Sequence, residues 1–146
     1  MKKKTKFILA VVGLLVIIQL FRVDKSIPET DPADHFIQIN TPPEPIKKML
    51  QQACYDCHSF ETKWPWYSNI APVSWLIGHH VEEGREYFNF STWGKLSPKK
   101  KNHLLEEMVE EVEKKEMPLA GYTLLHPEAR LSDDQRAQLM EWFKSL

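Results

Sequence analysis

Cysteine and strand-like patterning are what this sequence has least of. Only two cysteines occur in 146 residues, Cys54 and Cys57, so there is no second C-x-x-C pair to complete a four-cysteine zinc site. No segment of useful length alternates apolar and polar residues, and there is no internal repeat or low-complexity tract. A chain of this length has room for one small domain and a terminal segment. The sequence therefore predicts an all-α domain.

Acidic residues are missing from the first 22 residues, which carry five of the 19 lysines and arginines. The rest of the chain carries the other 14 basic residues against 20 acidic ones, an excess of six negative charges. Such a surface has little reason to bind nucleic acid, and no nucleic-acid partner is expected. At low salt it would be steered towards a protein with a basic docking face.

The amino-terminal segment contains an uncharged apolar run from Phe7 to Phe21 that follows a lysine cluster, the order typical of a secretory signal. As a helix the run spans about 22 Å, less than the ~30 Å hydrocarbon core of a bilayer, but Lys6 and Arg22 at its ends extend the effective span. No small-x-small cleavage site follows, so we expect residues 1–22 to be an uncleaved single-pass membrane anchor rather than a cleaved signal. The lysines would keep the amino terminus cytoplasmic and place the rest of the chain on the extracytoplasmic side of the cell membrane.

The most specific pattern in the sequence is Cys54-Tyr55-Asp56-Cys57-His58. C-x-x-C-H is typical of covalent c-type haem attachment. Each thiol adds to one haem vinyl group, and the histidine ligates the iron from the proximal face. The sequence thus predicts one covalent haem c, with Cys54 and Cys57 binding the cofactor and His58 binding its iron. The predicted anchor agrees, because covalent haem attachment in bacteria takes place outside the cytoplasmic membrane.

Three other interpretations of the two cysteines stay open at this point. A zinc site made from two thiolates and an imidazole would need a fourth ligand. A dithiol redox site expects a βαβ context, whereas the flanks of this motif look helical. A structural disulfide would explain the cysteines and leave the histidine unexplained.

Helix caps, prolines and apolar spacing predict how the rest of the chain is divided into helices and connecting segments. Residues 23–40 are polar and are predicted to be a tether that leads to a haem-binding domain at residues 41–146. Four helices are expected in that domain, starting at Thr41, near Pro72, at Ser97 with Pro98, and at Ser132. Their predicted inner faces are Ile46, Met49, Leu50 and Ala53; Val73, Leu76, Ile77, His80, Val81 and Gly84; Leu104, Leu105, Met108, Val109 and Val112; and Leu139, Met140, Phe143 and Leu146. The aromatic loop at 63–72 is expected to form core or pocket wall, with an exposed docking patch as the other interpretation.

The sixth coordination position of the iron decides the chemistry of such a site. Met117 is the leading candidate, because it lies at a predicted helix end before a proline and a glycine-containing loop. Met49, Met108 and Met140 lie on apolar stripes, where methionine usually fills the core. His80 is the second candidate, and an empty position is the third.

A wider set of residues carries a resemblance to a known family. These residues are the motif at 54–58, Trp64-Pro65-Trp66-Tyr67, Gly84-Arg85-Glu86, Asn89-Phe90-Ser91 with Trp93, Met117-Pro118-Leu119, Tyr122, His126 and Leu131-Ser132. Over about residues 36–146 the chain resembles the small bacterial haem-binding-domain family, and its order of elements is similar to class I cytochromes c. The resemblance implies a cytochrome c-like bundle of about four helices around one covalently attached haem, with His58 proximal and Met117 distal. It implies no defined substrate.

These observations favour a membrane-tethered monohaem c-type cytochrome that transfers single electrons, a carrier rather than an enzyme. Its partner would be a redox protein with a basic docking face, and Arg85 would pair with a haem propionate or form a surface ion pair. The alternatives are a haem-based sensor or ligand-binding module, and a peroxidase-like enzyme with an open distal site.

Overall fold

The computed structural model describes residues 2–146 and is helical throughout, with no strand among these residues. The prediction of an all-α chain is therefore confirmed. The eight α-helices are α1 (Lys3–Ile18), α2 (Phe36–Asn40), α3 (Glu44–Ala53), α4 (Tyr55–His58), α5 (Val73–Tyr87), α6 (Pro98–Glu113), α7 (Ala120–Leu125) and α8 (Asp133–Lys144). Short 3-10 turns lie at Pro32–Asp34, Trp66–Asn69, Phe90–Lys95 and Pro127–Ala129.

Two helix starts are where local chemistry predicts them. The Ser97 hydroxyl accepts a hydrogen bond from the Lys100 N–H at the start of α6. At the start of α8, Ser132 and Gln135 form a complete capping box, which satisfies two amide donors that the helix itself leaves free. The predicted inner face of α3 is also confirmed, because Ile46, Met49, Leu50 and Ala53 are its buried residues.

The predicted start at Thr41 is wrong. Thr41 follows α2 as its C-cap in a left-handed conformation with φ 41°, and α3 begins at Glu44 after Pro43 without a side-chain cap. A residue that ends one helix in this conformation is not available to start the next one. The short helix α2 was not predicted from the sequence, and neither were the short helices α4 and α7.

The interval 23–40, which was expected to be a tether, contributes to the core. Phe36 on α2 is fully buried, and its ring packs edge-on against Trp93 with centroids 4.9 Å apart. Closer to α1, Val23 lies against Gly78, and the Lys25 ammonium donates to Ser68 and Asn69. This part of the chain is packed on the folded domain.

The main core lies between α2, α3, α6, α8 and the turn at 90–95, with α6 packed along α8. Its members are Phe36, Ile46, Met49, Leu50, Tyr55, Phe90, Trp93, Leu104, Met108, Val112, Leu139 and Phe143. Tyr55 is the member that comes from the C-x-x-C-H motif, so the motif is anchored directly in this core.

None of the residues of helix α1 is buried. Among residues 2–146, no helix is long and apolar enough to cross a membrane. The predicted membrane-anchor helix is therefore not found in the structure.

The buried face of α5 differs from the predicted one. Ser74, Gly78 and Val81 are its buried residues, whereas Val73 and Leu76 from the predicted stripe are 44% and 58% exposed. Apolar residues occur on two sides of this helix, and the periodicity could not show which side is covered. The side that contains Gly78 is covered because Val23 packs there.

Helix α5 meets the motif at Gly84. A Cβ added at Gly84 would lie 2.7 Å from the Cys57 carbonyl oxygen and 3.2 Å from the Cys57 Cβ. Both are closer than van der Waals contact allows, and the Cys57 backbone has no freedom to move aside. Glycine at this position lets the two helices approach.

We expect Gly84→Ala to lower the free energy of unfolding by about 1–3 kcal/mol, because it overpacks the contact between α5 and α4. Thermal and denaturant unfolding would measure this. Gly121→Ala is the matched control, since Gly121 also lies in a helix and has nothing within 4 Å of the added Cβ. Equal stability of the two variants would contradict the packing argument.

Candidate haem site

The motif forms one tight helical turn. Helix α3 ends at Cys54, whose carbonyl oxygen accepts from the amides of Cys57 at 3.3 Å and His58 at 2.9 Å. The turn is held from the inside by Tyr55, which is buried and stacks on Phe90 with ring centroids 4.9 Å apart. Both thiols and the imidazole are therefore presented by the same short segment.

The imidazole of His58 is fixed by helix α5. Its Nδ1 lies 2.9 Å from the Gly84 carbonyl oxygen, which only accepts, so Nδ1 carries the proton. The ring also stacks on Phe88, with centroids 4.2 Å apart and planes 9° from parallel. In this tautomer Nε2 keeps its lone pair, which is the form that binds a metal.

Burial lowers the pKa of His58, although the backbone carbonyls of Gly84 and Phe88 work in the opposite direction. The lowered pKa keeps the ring neutral near pH 7 and available as a ligand.

Cys54 and Cys57 are free thiols in this structure, with no disulfide between them. Burial raises the pKa of Cys54 from 9.0 to about 12, and the neighbouring Cys57 adds to the shift. Burial also raises the pKa of Cys57 to about 11, where Asp56 adds to the shift and Arg85 opposes it. Both sulfurs are therefore protonated at neutral pH in the haem-free fold.

These properties weaken two of the alternative interpretations. Dithiol redox sites need a thiol whose pKa is lowered, which is the opposite of what burial does here. A zinc site needs a closed set of ligands, and nowhere in residues 2–146 do three or more His, Cys, Asp or Glu side chains come together to hold a metal ion.

The outer side of the motif is held by polar contacts. The Asp56 carboxylate accepts from the Lys63 N–H at 2.8 Å and from the Tyr122 hydroxyl at 2.7 Å. The Arg85 guanidinium donates to the Ser59 carbonyl and to the Thr62 hydroxyl, both at 2.8 Å. Arg85 thus holds the chain just after the motif, a role that the sequence analysis did not foresee.

The two candidates for the sixth position lie in different settings. Met117 is partly exposed in the turn between α6 and α7, and its carbonyl oxygen accepts from Arg136 at 2.7 Å. His80 is on the exposed side of α5, where its Nδ1 lies 3.9 Å from a carboxylate oxygen of Glu83. His80 thus has a carboxylate beside it at the surface.

The residues around the motif fit a porphyrin. Val73, Leu76 and His80 precede Gly84 by eleven, eight and four residues, so helical spacing places them within about 80° of Gly84 around α5. Val73 and Leu76 are apolar side chains that the fold leaves exposed. The free thiols, the neutral imidazole and this apolar surface together make a donor set and a wall that suit haem.

Three contributors to the site were not predicted as such: the Gly84 carbonyl, Phe88 and Tyr122. Each is far from the motif in sequence, and Gly84 is 26 residues from His58. Gly84 and Tyr122 were marked in the sequence only by their place in the family resemblance, and Phe88 had no such signal.

We expect iodoacetamide to alkylate the haem-free chain slowly at neutral pH, with the rate still rising towards pH 11, because the thiolate reacts and both pKa values are raised. Single variants Cys54→Ala and Cys57→Ala would separate the two thiols. The urea-unfolded chain is the control and should react as an ordinary thiol. A rate that levels off below pH 8 would point to an activated thiol and favour dithiol redox chemistry.

Comparison with known proteins agrees with this geometry. The family model described as haem-binding domain matches residues 13–145, which is nearly the whole chain. No curated protein and no solved structure matched the chain. The protein belongs to the family of haem-binding domains.

Proposed function

We propose that this haem-binding domain is a monohaem c-type cytochrome that carries single electrons. Haem would be attached covalently through Cys54 and Cys57, with His58 and Met117 as axial ligands. The observation that supports this most directly is the 2.9 Å contact between His58 Nδ1 and the Gly84 carbonyl. It leaves Nε2 as the free ligand on the same helical turn that presents two unoxidised thiols.

Covalent attachment requires two reduced thiols at a fixed spacing. Cys54 and Cys57 would each supply one S–H group for one haem vinyl group, in an addition that neither oxidises nor reduces the thiol. Cys54 and Cys57 are both free thiols in the fold, and both are partly exposed. A disulfide between them would have to be reduced first.

Bound haem supplies a reversible one-electron iron couple, and the protein tunes it through the ligands and their surroundings. His58 receives electron density from the Gly84 carbonyl through Nδ1–H, which makes Nε2 a better donor. A thioether ligand from Met117 would raise the reduction potential relative to a second histidine. Two filled axial positions favour electron transfer over ligand binding.

The proposed location is the extracytoplasmic side of the cell membrane, where covalent haem attachment takes place. It is supported by the lysine cluster and the uncharged run that follows it. The partner we propose is a redox protein with a basic docking face, because the domain carries an excess of negative charge.

Optical spectra of the full chain, produced together with a haem-attachment system, test the ligand assignment. The oxidised wild type is expected to show the weak far-red band of methionine-to-iron ligation, and its reduced form should bind carbon monoxide slowly. Met117→Ala should lose the band and bind carbon monoxide readily, because the sixth position opens. Met140→Ala is the control, since Met140 packs against the core and should leave both features unchanged.

A wild type that is high-spin and already binds carbon monoxide would contradict Met117 ligation. It would favour the sensor or peroxidase-like alternatives, which need an open distal site.

A further inference from the structure

A chain of contacts joins the motif to helix α7. The Tyr122 hydroxyl donates to Oδ2 of Asp56 at 2.7 Å and lies 3.4 Å from the Gln52 carbonyl oxygen at the end of α3. Asp56 is one of the two residues between the cysteines, positions that haem attachment itself leaves free in identity. Its carboxylate is therefore available for a structural task, and the structure uses it to hold α7.

The other side of Tyr122 is held as well. Its ring stacks on the imidazole of His126, with centroids 4.3 Å apart and planes 17° from parallel. His126 Nδ1 lies 3.2 Å from a carboxylate oxygen of Glu128, and its Nε2 lies 2.7 Å from the Tyr67 hydroxyl. The His126 side chain is only 16% exposed. These contacts fix α7 between the motif and the turn at Trp66–Asn69.

Tyr122 is suited to act as a permanent donor. Burial and its hydrogen bond to Asp56 both raise its pKa, so the hydroxyl keeps its proton across the physiological range. Asp56 is fixed in turn by the Lys63 N–H. Hydrogen bonds to a charged acceptor are among the stronger ones that a protein makes.

Met117 lies five residues before Tyr122 and is fixed at its own end. Arg136 on α8 donates from Nη1 to the carbonyl oxygens of Met117, at 2.7 Å, and of Val112, at 2.9 Å. The stretch from Met117 to Tyr122 is thus pinned at one end to α8 and at the other to the haem motif. A segment of this length held at both ends has few positions in which to place its side chains.

We propose that Tyr122 is a positioning residue for the sixth ligand: its hydrogen bond to Asp56 holds the Met117 segment against the motif and keeps the thioether on the iron. This inference rests on the proposed ligation by Met117. Tyr122 itself touches neither the thiols nor the imidazole by any hydrogen bond in residues 2–146. It acts through the chain that it holds.

The test uses the full haem-loaded chain and the rate at which carbon monoxide replaces methionine on reduced iron. Tyr122→Phe keeps the ring and its stacking on His126 but removes the donor, and we expect this rate to rise about tenfold. The far-red band of the oxidised form should weaken without disappearing. Thr123→Val is the matched control, because among the described residues the Thr123 hydroxyl bonds only to the Ala120 carbonyl within α7.

Asp56→Ala provides the second arm. This variant should raise the rate at which carbon monoxide replaces methionine at least as much as Tyr122→Phe does. Adding Tyr122→Phe to Asp56→Ala should have no further effect, because both substitutions remove the same hydrogen bond. Hydrogen exchange of residues 117–126 should increase in the same variants and stay at the wild-type level in Thr123→Val. Thermal unfolding shows which variants remain folded.

Two results would overturn the inference, and they distinguish a failure of the positioning role of Tyr122 from a failure of Met117 ligation. If Met117→Ala loses the band while Tyr122→Phe binds carbon monoxide at the wild-type rate, Met117 is a ligand but Tyr122 does not position it. If Met117→Ala keeps the wild-type spectrum, the ligation itself is wrong and the positioning role falls with it.

Discussion

The structure of the site depends on one hydrogen bond, between Nδ1 of His58 and the carbonyl oxygen of Gly84. The same glycine lacks a side chain, which is what allows α5 to approach the Cys57 backbone closely enough to form the bond. A single residue thus sets both the tautomer of the imidazole and the distance between two helices. Histidine ligands elsewhere are oriented by such outer contacts, and their metal affinity depends on them.

The five residues of the motif have two kinds of role: some hold the turn in place, and the others carry the groups proposed to bind haem. Tyr55 enters the aromatic core against Phe90 and anchors the turn, while Asp56 points the other way and accepts from Lys63 and Tyr122. In the proposed site, Cys54, Cys57 and His58 would bind the haem. Because contacts on both sides hold this turn, the thiols and the imidazole are largely preorganised, which would reduce the conformational entropy lost on the proposed haem attachment.

The parts of this fold that the sequence predicted are those with local causes. The Ser97 and Ser132 caps each depend on a side chain and an amide three residues away, and the inner face of α3 follows from helical spacing alone. The C-x-x-C-H motif is local in the same sense, because it consists of five consecutive residues.

The parts that were missed depend on residues distant in sequence. Phe36 is buried because Trp93 and Phe90 surround it, so residues assigned to a tether include part of the core. The covered side of α5 was decided by Val23, which packs on Gly78 more than 50 residues away. Likewise, no local pattern shows that Gly84 supplies the acceptor for His58 or that Tyr122 donates to Asp56. Trp66 is another case: it is 76% exposed, although aromatic content favoured a buried loop.

The proposed function depends first on covalent attachment of haem to Cys54 and Cys57. Measuring the mass of the intact protein under denaturing conditions tests this attachment most directly. The chain would be produced together with a haem-attachment system. Wild type is expected to carry the added mass of one haem after the fold is destroyed, and the double variant Cys54→Ala with Cys57→Ala should not. A wild-type polypeptide that loses all haem on denaturation would contradict covalent attachment and leave the domain as a non-covalent haem binder.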